Sequence, residues 1–532
     1  MLLILATAAM IAPIWSVERF VVQDGSAHLN TSFMMSEMLK GNDFFRALFE
    51  FNSPFVPNSS AHWLIAVLLQ FFAPFVVTKI MMTLAFVLVP LSVLWLRRQV
   101  VGPESQTTAF LIGSACSFNW FWMLGTFNFM FGLAGFAFTL GLFWRWRNEM
   151  NAVRSFVIFL LVTFIFFTHL VGFLLITGSI LVLAISARNE SRKSALLWTA
   201  PAMFAASVLF LLFKTQIGDS GGGLSPFWSS MSDPYALRSW FDHLVSIDPF
   251  VLLSRKTMPL TDFDSPYFAL FSPALWILAA VTLLLVATLL TSDGRRGLFS
   301  EKLPFVLLAA GATLVVLFGP EYSFNVAGGL LRQRLAIAAV IFFVPLFAFS
   351  AGKFKLLAQG SLMFVLIFQT AVMWEYAFSS NEETRGFVEA GREIPDGQKI
   401  ASTVILRDRL RFHSFPVPQM INYIGTGRNL VIVDNYAMGY NLFSILMSDA
   451  GNREFNQRLT ASNVLYAQNP LEDFGTDLRN LDFCLSNGSG KIDTMLLYGR
   501  DDAVEAILRK TFEPQPFYES GNIRLFRKLG GL

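Results

Sequence analysis

The run Ile80-Met81-Met82-Thr83-Leu84-Ala85-Phe86-Val87-Leu88-Val89-Pro90-Leu91-Ser92-Val93-Leu94-Trp95-Leu96, closed by Arg97-Arg98, decides what kind of protein this is. It carries no charge, is long enough to cross a hydrocarbon layer as a helix, and ends on two cations. The rest of the chain agrees with it. Of 532 residues, 54% are hydrophobic and 14% charged, with 57 phenylalanines, outside the range of an ordinary soluble domain. The sequence therefore reads as a polytopic α-helical membrane protein. A net charge of +3 gives no ground for nucleic acid as a partner. The two cysteines, Cys116 and Cys484, lie too far apart in sequence to suggest a disulfide framework or a metal site.

Working outward, similar apolar runs occupy roughly 106 to 124, 126 to 144, 155 to 169, 170 to 187, 195 to 213, 266 to 291, 303 to 318, 332 to 351 and 355 to 377. Short basic links separate them: Arg97 and Arg98; Arg145, Arg147 and Arg154; Arg188, Arg192 and Lys193; Arg295, Arg296 and Lys302; Lys353 and Lys355. The positive-inside rule puts all five links in the cytoplasm. For that to hold, 106 to 144 must be a hairpin turning near Gly125, and 155 to 187 a hairpin turning near His169. Before the opening run, Leu2 to Trp15 is apolar with no Lys or Arg ahead of it, which fits a retained first span better than a cleaved signal. The same parity allows one crossing between His28 and Arg97, so Trp63 to Phe72 is expected to be an interfacial or re-entrant helix. About eleven spans result, N-terminus inside and C-terminus outside.

This topology sends the chemically interesting residues outward. The first outer loop, 18–77, holds Asp24 and His28, and a helix begun near Asp24 would put both on one face. The plainer alternative makes Asp24 the cap of a surface helix. The long outer loop, 214–265, carries Asp219, Asp233, Asp242, Asp248, Asp262 and Asp264, which read as surface groups. His169 sits at the outer end of its hairpin, as a substrate contact or as a structural hydrogen-bonding residue. Arg332 and Arg334 open the span that follows Glu321 and Tyr322, at a depth where a charge is expensive unless it faces a cavity, a ligand or the headgroups. Residues two apart on a helix point about 200° from each other. Only one of the two arginines is thus expected to face a cavity, with Arg332 preferred.

The composition shifts after about Ser379. Two units are therefore expected: a transmembrane part, 1–379, and an extracytoplasmic soluble α/β domain, 380–532. In the second, a helix is expected at Glu382 to Glu393, a turn at Pro395-Asp396-Gly397, and strands at Lys399 to Leu406 and Thr494 to Tyr498. A helix at Asp501 to Thr511 and a hairpin joining Pro516 to Glu519 with Asn522 to Arg527 complete it. The cluster Arg407, Asp408, Arg409, Arg411 and His413 reads as a solvated face. The chain has no Gly-rich phosphate loop, metal-ligand spacing or nucleophile elbow.

This layout resembles the GT-C superfamily, membrane glycosyltransferases that take sugars from polyprenyl-phosphate or polyprenyl-diphosphate donors. Asp24-Gly25-Ser26-Ala27-His28-Leu29 is similar to the Asp-Gly-Pro-Ala-His-Leu signature of a group of bacterial membrane proteins related to it, with Ser26 in place of the proline. The resemblance implies a bacterial inner-membrane enzyme of the cell envelope whose partners are the bilayer, a polyprenyl-phosphate-linked sugar donor and an acceptor of open identity. It makes Asp24 the general base, with His28 beside it. His169, Arg332, Arg334, Glu321 and Tyr322 become the substrate-binding residues, the arginines for the departing phosphate. No cofactor is expected. The second acid many members carry next to the first is Gly25 here, so a divalent metal would need Glu18 or Asp43 to come near in the fold. Two other classes fit the same layout: a transporter or flippase of a lipid-linked or anionic solute, and a non-catalytic scaffold of an envelope complex.

Overall fold

The computed structural model describes residues 2–103, 106–217, 249–253, 272–319, 330–347, 352–406, 412–440, 442–466 and 474–530. The main helices up to residue 392 are α1 (Leu2–Ser16), α2 (Gln23–Lys40), α3 (Ser60–Leu68), α4 (Pro74–Val100), α5 (Gln106–Ser117), α6 (Trp120–Leu124) and α7 (Phe127–Trp146). They continue with α8 (Ala152–Thr168), α9 (Leu170–Ile185), α10 (Asn189–Ile217), α11 (Pro273–Leu289), α12 (Leu303–Phe318), α13 (Leu331–Phe343) and α14 (Lys353–Arg392). Four of these, α4, α7, α10 and α14, are long and apolar enough to cross a membrane, and α1, α8, α9, α11 and α12 are shorter apolar helices.

Local chemistry explains where these helices start and stop. Gly125 takes a φ of 84° and closes α6, so the chain turns where the first hairpin was expected. His169 is extended, at φ −163° and ψ 130°, and is both the C-cap of α8 and the N-cap of α9. The run 106 to 124, read as one apolar stretch, is two helices, because Asn119 ends one and begins the next. Its amide donates to the Cys116 carbonyl at 2.7 Å and its side-chain oxygen accepts from the Trp122 N–H at 2.9 Å. The nine residues of α3 rise about 14 Å, about half the hydrocarbon thickness. The segment expected at Glu382 to Glu393 is not separate. It is the continuation of the 40-residue α14, which has no breaker until Pro395 and Gly397.

The described chain forms two compact units, Met1–Ala12 with Met82–Val372, and Pro13–Met81 with Met373–Leu532. In the first, α7 and α9 meet backbone to backbone: a Cβ on Gly172 would lie 2.9 Å from the Gly132 carbonyl oxygen, and one on Gly132 2.8 Å from the His169 Cβ. Two glycines thus admit an approach that any side chain would block, the usual device for packing apolar helices in lipid. Arg97, expected in a basic link between spans, is buried and donates to the carbonyls of Val344 (3.1 Å) and Phe347 (2.7 Å) just beyond α13. A cation there satisfies carbonyls that the helix end leaves open.

The second unit holds the strands β1 (Phe49–Phe51), β2 (Lys399–Leu406), β3 (Val431–Ile432), β4 (Ile445–Met447), β5 (Val464–Tyr466), β6 (Thr494–Tyr498), β7 (Tyr518–Ser520) and β8 (Ile523–Arg527). Its helices past α14 are α15 (Val417–Gly425), α16 (Ala450–Thr460), α17 (Gly475–Gly488) and α18 (Asp502–Leu508). β2 is central, with β6 parallel on one edge and β3 and β5 parallel in turn on the other; β8 and then β7 extend the sheet antiparallel beyond β6. Between β3 and β5 the edge of β2 would be open at Ser402. The Asp434 carboxylate fills it, accepting from the Ser402 N–H (3.2 Å), the Ser402 hydroxyl (2.5 Å) and the Asn463 amide (2.8 Å).

Residues 13–81 are built into this unit. Met34, Met35, Met38, Phe45 and Phe49 share one core with Ala401, Ile405, Leu465, Met495 and Leu497. β1 pairs antiparallel with β4, and the Asn435 amide lies 3.3 Å from the Ala27 carbonyl, the Asn30 amide oxygen and the Thr31 hydroxyl. The division by sequence at residue 379 and the division by packing therefore differ: residues 13–81 share a core with the C-terminal residues.

Candidate functional site

α2 starts after Val22, an extended N-cap whose side chain makes no capping bond. Asp24 is therefore not the cap. It occupies the first helical turn, half-buried, where the exposed N–H groups favour a carboxylate. Neighbouring side chains fix the helix start. Gln23 accepts from the Phe415 N–H at 2.8 Å, and the Ser26 hydroxyl lies 2.7 Å from the Gln419 carbonyl. The serine that replaces the proline of the signature thus ties α2 to the α15 segment, a bond proline could not make.

His28 follows Asp24 by one turn and points inward. Its Nδ1 lies 2.9 Å from Nε2 of His62 on α3, and His62 Nδ1 lies 3.0 Å from the Ser444 hydroxyl just before β4. The His28 ring packs against Phe443 (5.8 Å between centroids) and edge-on to Tyr436 (6.3 Å). Burial lowers the His28 imidazole to about 4. It holds His62 well below its ordinary value too, with the neighbouring His28 adding to the effect. Both rings are neutral at pH 7, each with one N–H. Tyr436 links the pair to the acid: burial, and then the charge of Asp24, hold its phenol well above the usual range. His28, His62 and Ser444 form one hydrogen-bonded chain, able to fix the proton position on an imidazole, with the Asp24 carboxylate one turn before His28 on α2 and its charge acting on Tyr436.

The other expected residues belong to the other compact unit. His169 accepts from the Val171 N–H through Nδ1 at 3.1 Å, which caps α9, and its ring meets Phe129 edge-on at 5.2 Å. The Arg334 guanidinium lies over the same Phe129 ring at 5.5 Å and over Phe121 at 5.1 Å. Arg332 faces elsewhere: buried, it donates from Nε to the Val316 carbonyl of α12 at 2.9 Å. The two arginines diverge as helical geometry requires, and it is Arg334 that shares an aromatic surface with His169. Glu321 and Tyr322, the acids of the long loop, and Arg407, Asp408, Arg409 and Arg411 lie outside the described residues.

Sequence reasoning passed over His62, Tyr436 and Ser444. One signal was present: Ser60-Ala61-His62 repeats Ser26-Ala27-His28, and the chain has only five histidines. Tyr436 and Ser444 had none, since only folding brings Tyr436 to His28 and Ser444 to His62. Glu18 is exposed and pairs with Arg19 at 2.7 Å. Among the described residues no three His, Cys, Asp or Glu side chains gather as a metal set would.

Comparison with known proteins gives likenesses of fold alone. No family model matches the chain, and no curated protein matches it by sequence. Among solved structures it is similar to the arabinofuranosyltransferase AftD from Mycobacteria, with 11% identity and a TM-score of 0.48 over 99% of this chain and 41% of that one. It is also similar to ArnT from Cupriavidus metallidurans, solved bound to undecaprenyl phosphate, with 12% identity and a TM-score of 0.41 over 99% of this chain and 98% of that one. The chain thus spans about two fifths of AftD and nearly all of ArnT. The residue roles below rest on this chain's own geometry.

Proposed function

We propose that this chain is a membrane glycosyltransferase of GT-C type that moves a sugar from a polyprenyl-(di)phosphate-linked donor to an acceptor on the extracytoplasmic face, with Asp24 as general base. The observation that carries the reading is the placement of Asp24: half-buried in the first turn of α2, beside Tyr436, one turn from the neutral His28. The Asp24 carboxylate takes the proton of the acceptor hydroxyl as its oxygen attacks the anomeric carbon. The bond from that carbon to the lipid phosphate breaks, and the phosphate leaves with the electron pair. Within the other compact unit, Arg334 rather than Arg332 is the arginine read as a phosphate contact, because Arg332 already serves the α12 carbonyl. His169 supports the same surface through Phe129. The reading includes about eleven spans in a bacterial plasma membrane, a C-terminal part outside the cytoplasm and no resident cofactor.

The test is transfer from defined donors by the full-length protein in lipid nanodiscs. Polyprenyl-phosphate and polyprenyl-diphosphate sugars are offered with membrane glycans as acceptors, and release of lipid phosphate is measured. Turnover by the wild type, lost in Asp24→Asn, is the expected result. Movement of intact donor across a bilayer without release of lipid phosphate would replace the enzyme by a transporter.

A further inference from the structure

We infer that His62, with Ser444 behind it, is a positioning residue that sets which ring nitrogen of His28 carries the proton, and so whether His28 offers the Asp24 site a donor or an acceptor. This rests on the reading of Asp24 and His28 as the reactive site. Two neutral imidazoles whose nitrogens approach to 2.9 Å share one proton between them. If the Ser444 hydroxyl donates to His62 Nδ1, then His62 Nε2–H donates to His28 Nδ1, and His28 keeps its own proton on Nε2. If His62 Nδ1–H donates to Ser444, His62 Nε2 accepts from His28 Nδ1–H, and His28 Nε2 is a bare acceptor. The three groups thus switch together or not at all.

The surroundings favour such a fixed link over a space-filling histidine. His62 is fully buried on the inward face of α3, beside Ile65 and Ala66, and both of its nitrogens have polar partners. Ser444 is held by its backbone as well, since its carbonyl accepts from the Asn52 N–H at 3.0 Å beside the β1–β4 pairing. Among the described residues, the ionisable group packed against the pair is Tyr436, on which the charge of Asp24 acts in turn. α3 carries none besides His62, β4 carries none, and Glu50 of β1 pairs with Arg453 at 3.5 Å.

The measurement is nitrogen-15 spectroscopy of ring-labelled histidine in the full-length protein in nanodiscs, from pH 5 to 8, with transfer kinetics in parallel. In the wild type His28 and His62 should each show one neutral tautomer that does not titrate over this range. His62→Phe should leave His28 as a tautomer mixture and lower kcat about tenfold or more with little change in KM. His62→Gln, whose amide can bond to Nδ1, should restore the single tautomer and most of the rate. Should the Phe variant fail to fold, Ser444→Ala, which removes only the far hydroxyl, should give the same mixture. An unchanged His28 tautomer in His62→Phe or in Ser444→Ala overturns the inference. Should the spectra behave as expected in a wild type that transfers no sugar, the positioning role stands and the glycosyltransferase reading falls.

Discussion

Arg332 and Arg334 stand two residues apart on one helix and answer to different surroundings. Arg332 is buried against a carbonyl of α12, while Arg334 lies over two aromatic faces. Truncating Arg332 leaves a backbone acceptor unsatisfied in an apolar setting, a loss of about 1–3 kcal/mol, so Arg332→Ala should lower thermal stability and keep transfer per folded molecule. Arg334→Ala should do the reverse, lowering transfer about tenfold or more at nearly unchanged stability. Unfolding temperature and turnover, measured on the same preparations, separate the two; the opposite assignment would return the phosphate to Arg332. Helical geometry foretold that the pair diverge. Which of them faced a carbonyl depended on where Val316 falls, and nothing in the spacing encodes that. Asp24 and His28 were legible together because their relation lies within one helix, whereas His62, Tyr436 and Ser444 join them through contacts hundreds of residues apart in the chain or across two helices.

At the level of elements, the C-terminal strands were readable because each is short, β-rich and bounded by turn residues: β2 and β6 form over the expected residues, and β7 pairs with β8 where a hairpin was expected. The end of α14 was not, because a fall in hydropathy marks where a helix leaves an apolar medium, and only a breaker ends it. Asp434 shows a further limit, since a carboxylate that completes a sheet edge has no local pattern. Burial, only partly offset by the Ser402 and Asn463 bonds, raises its pKa to about 6 from 3.8. The folded state therefore binds its proton more tightly than the unfolded chain does. This contribution to stability is complete below about pH 4 and is lost as pH rises through about 6, on the order of 2–3 kcal/mol in all. Buried neutral His28 acts with the opposite sign, losing stability as pH falls from 6.5 towards 4. It is present in both proteins, so the difference between wild type and Asp434→Asn isolates the aspartate. Thermal unfolding from pH 4 to 7.5 should show the wild type losing stability relative to Asp434→Asn as pH rises. A constant difference would mean that the carboxylate stays ionised throughout.

At the scale of the molecule, composition sufficed for a membrane protein built of apolar helices, and among the described residues four helices are long and apolar enough to cross. The count of about eleven spans rests on the basic links, and a pair of fusions at the C-terminus checks it: an alkaline phosphatase should be active there and a green fluorescent protein dark. The opposite pattern would overturn the span count and the proposed assignment of the outer face together. Less legible was the partnership of residues 13–81 with the C-terminal residues, which depends on a methionine face of α2 and on Asn435, neither of which departs from ordinary core composition. The central claim is that the carboxylate of Asp24 removes a proton from an acceptor hydroxyl during sugar transfer. Donor binding and single-turnover transfer by Asp24→Asn test it most directly. Donor affinity within about twofold of wild type, with transfer lowered about 100-fold or more, is the result expected when the base alone is removed; transfer at the wild-type rate would contradict it.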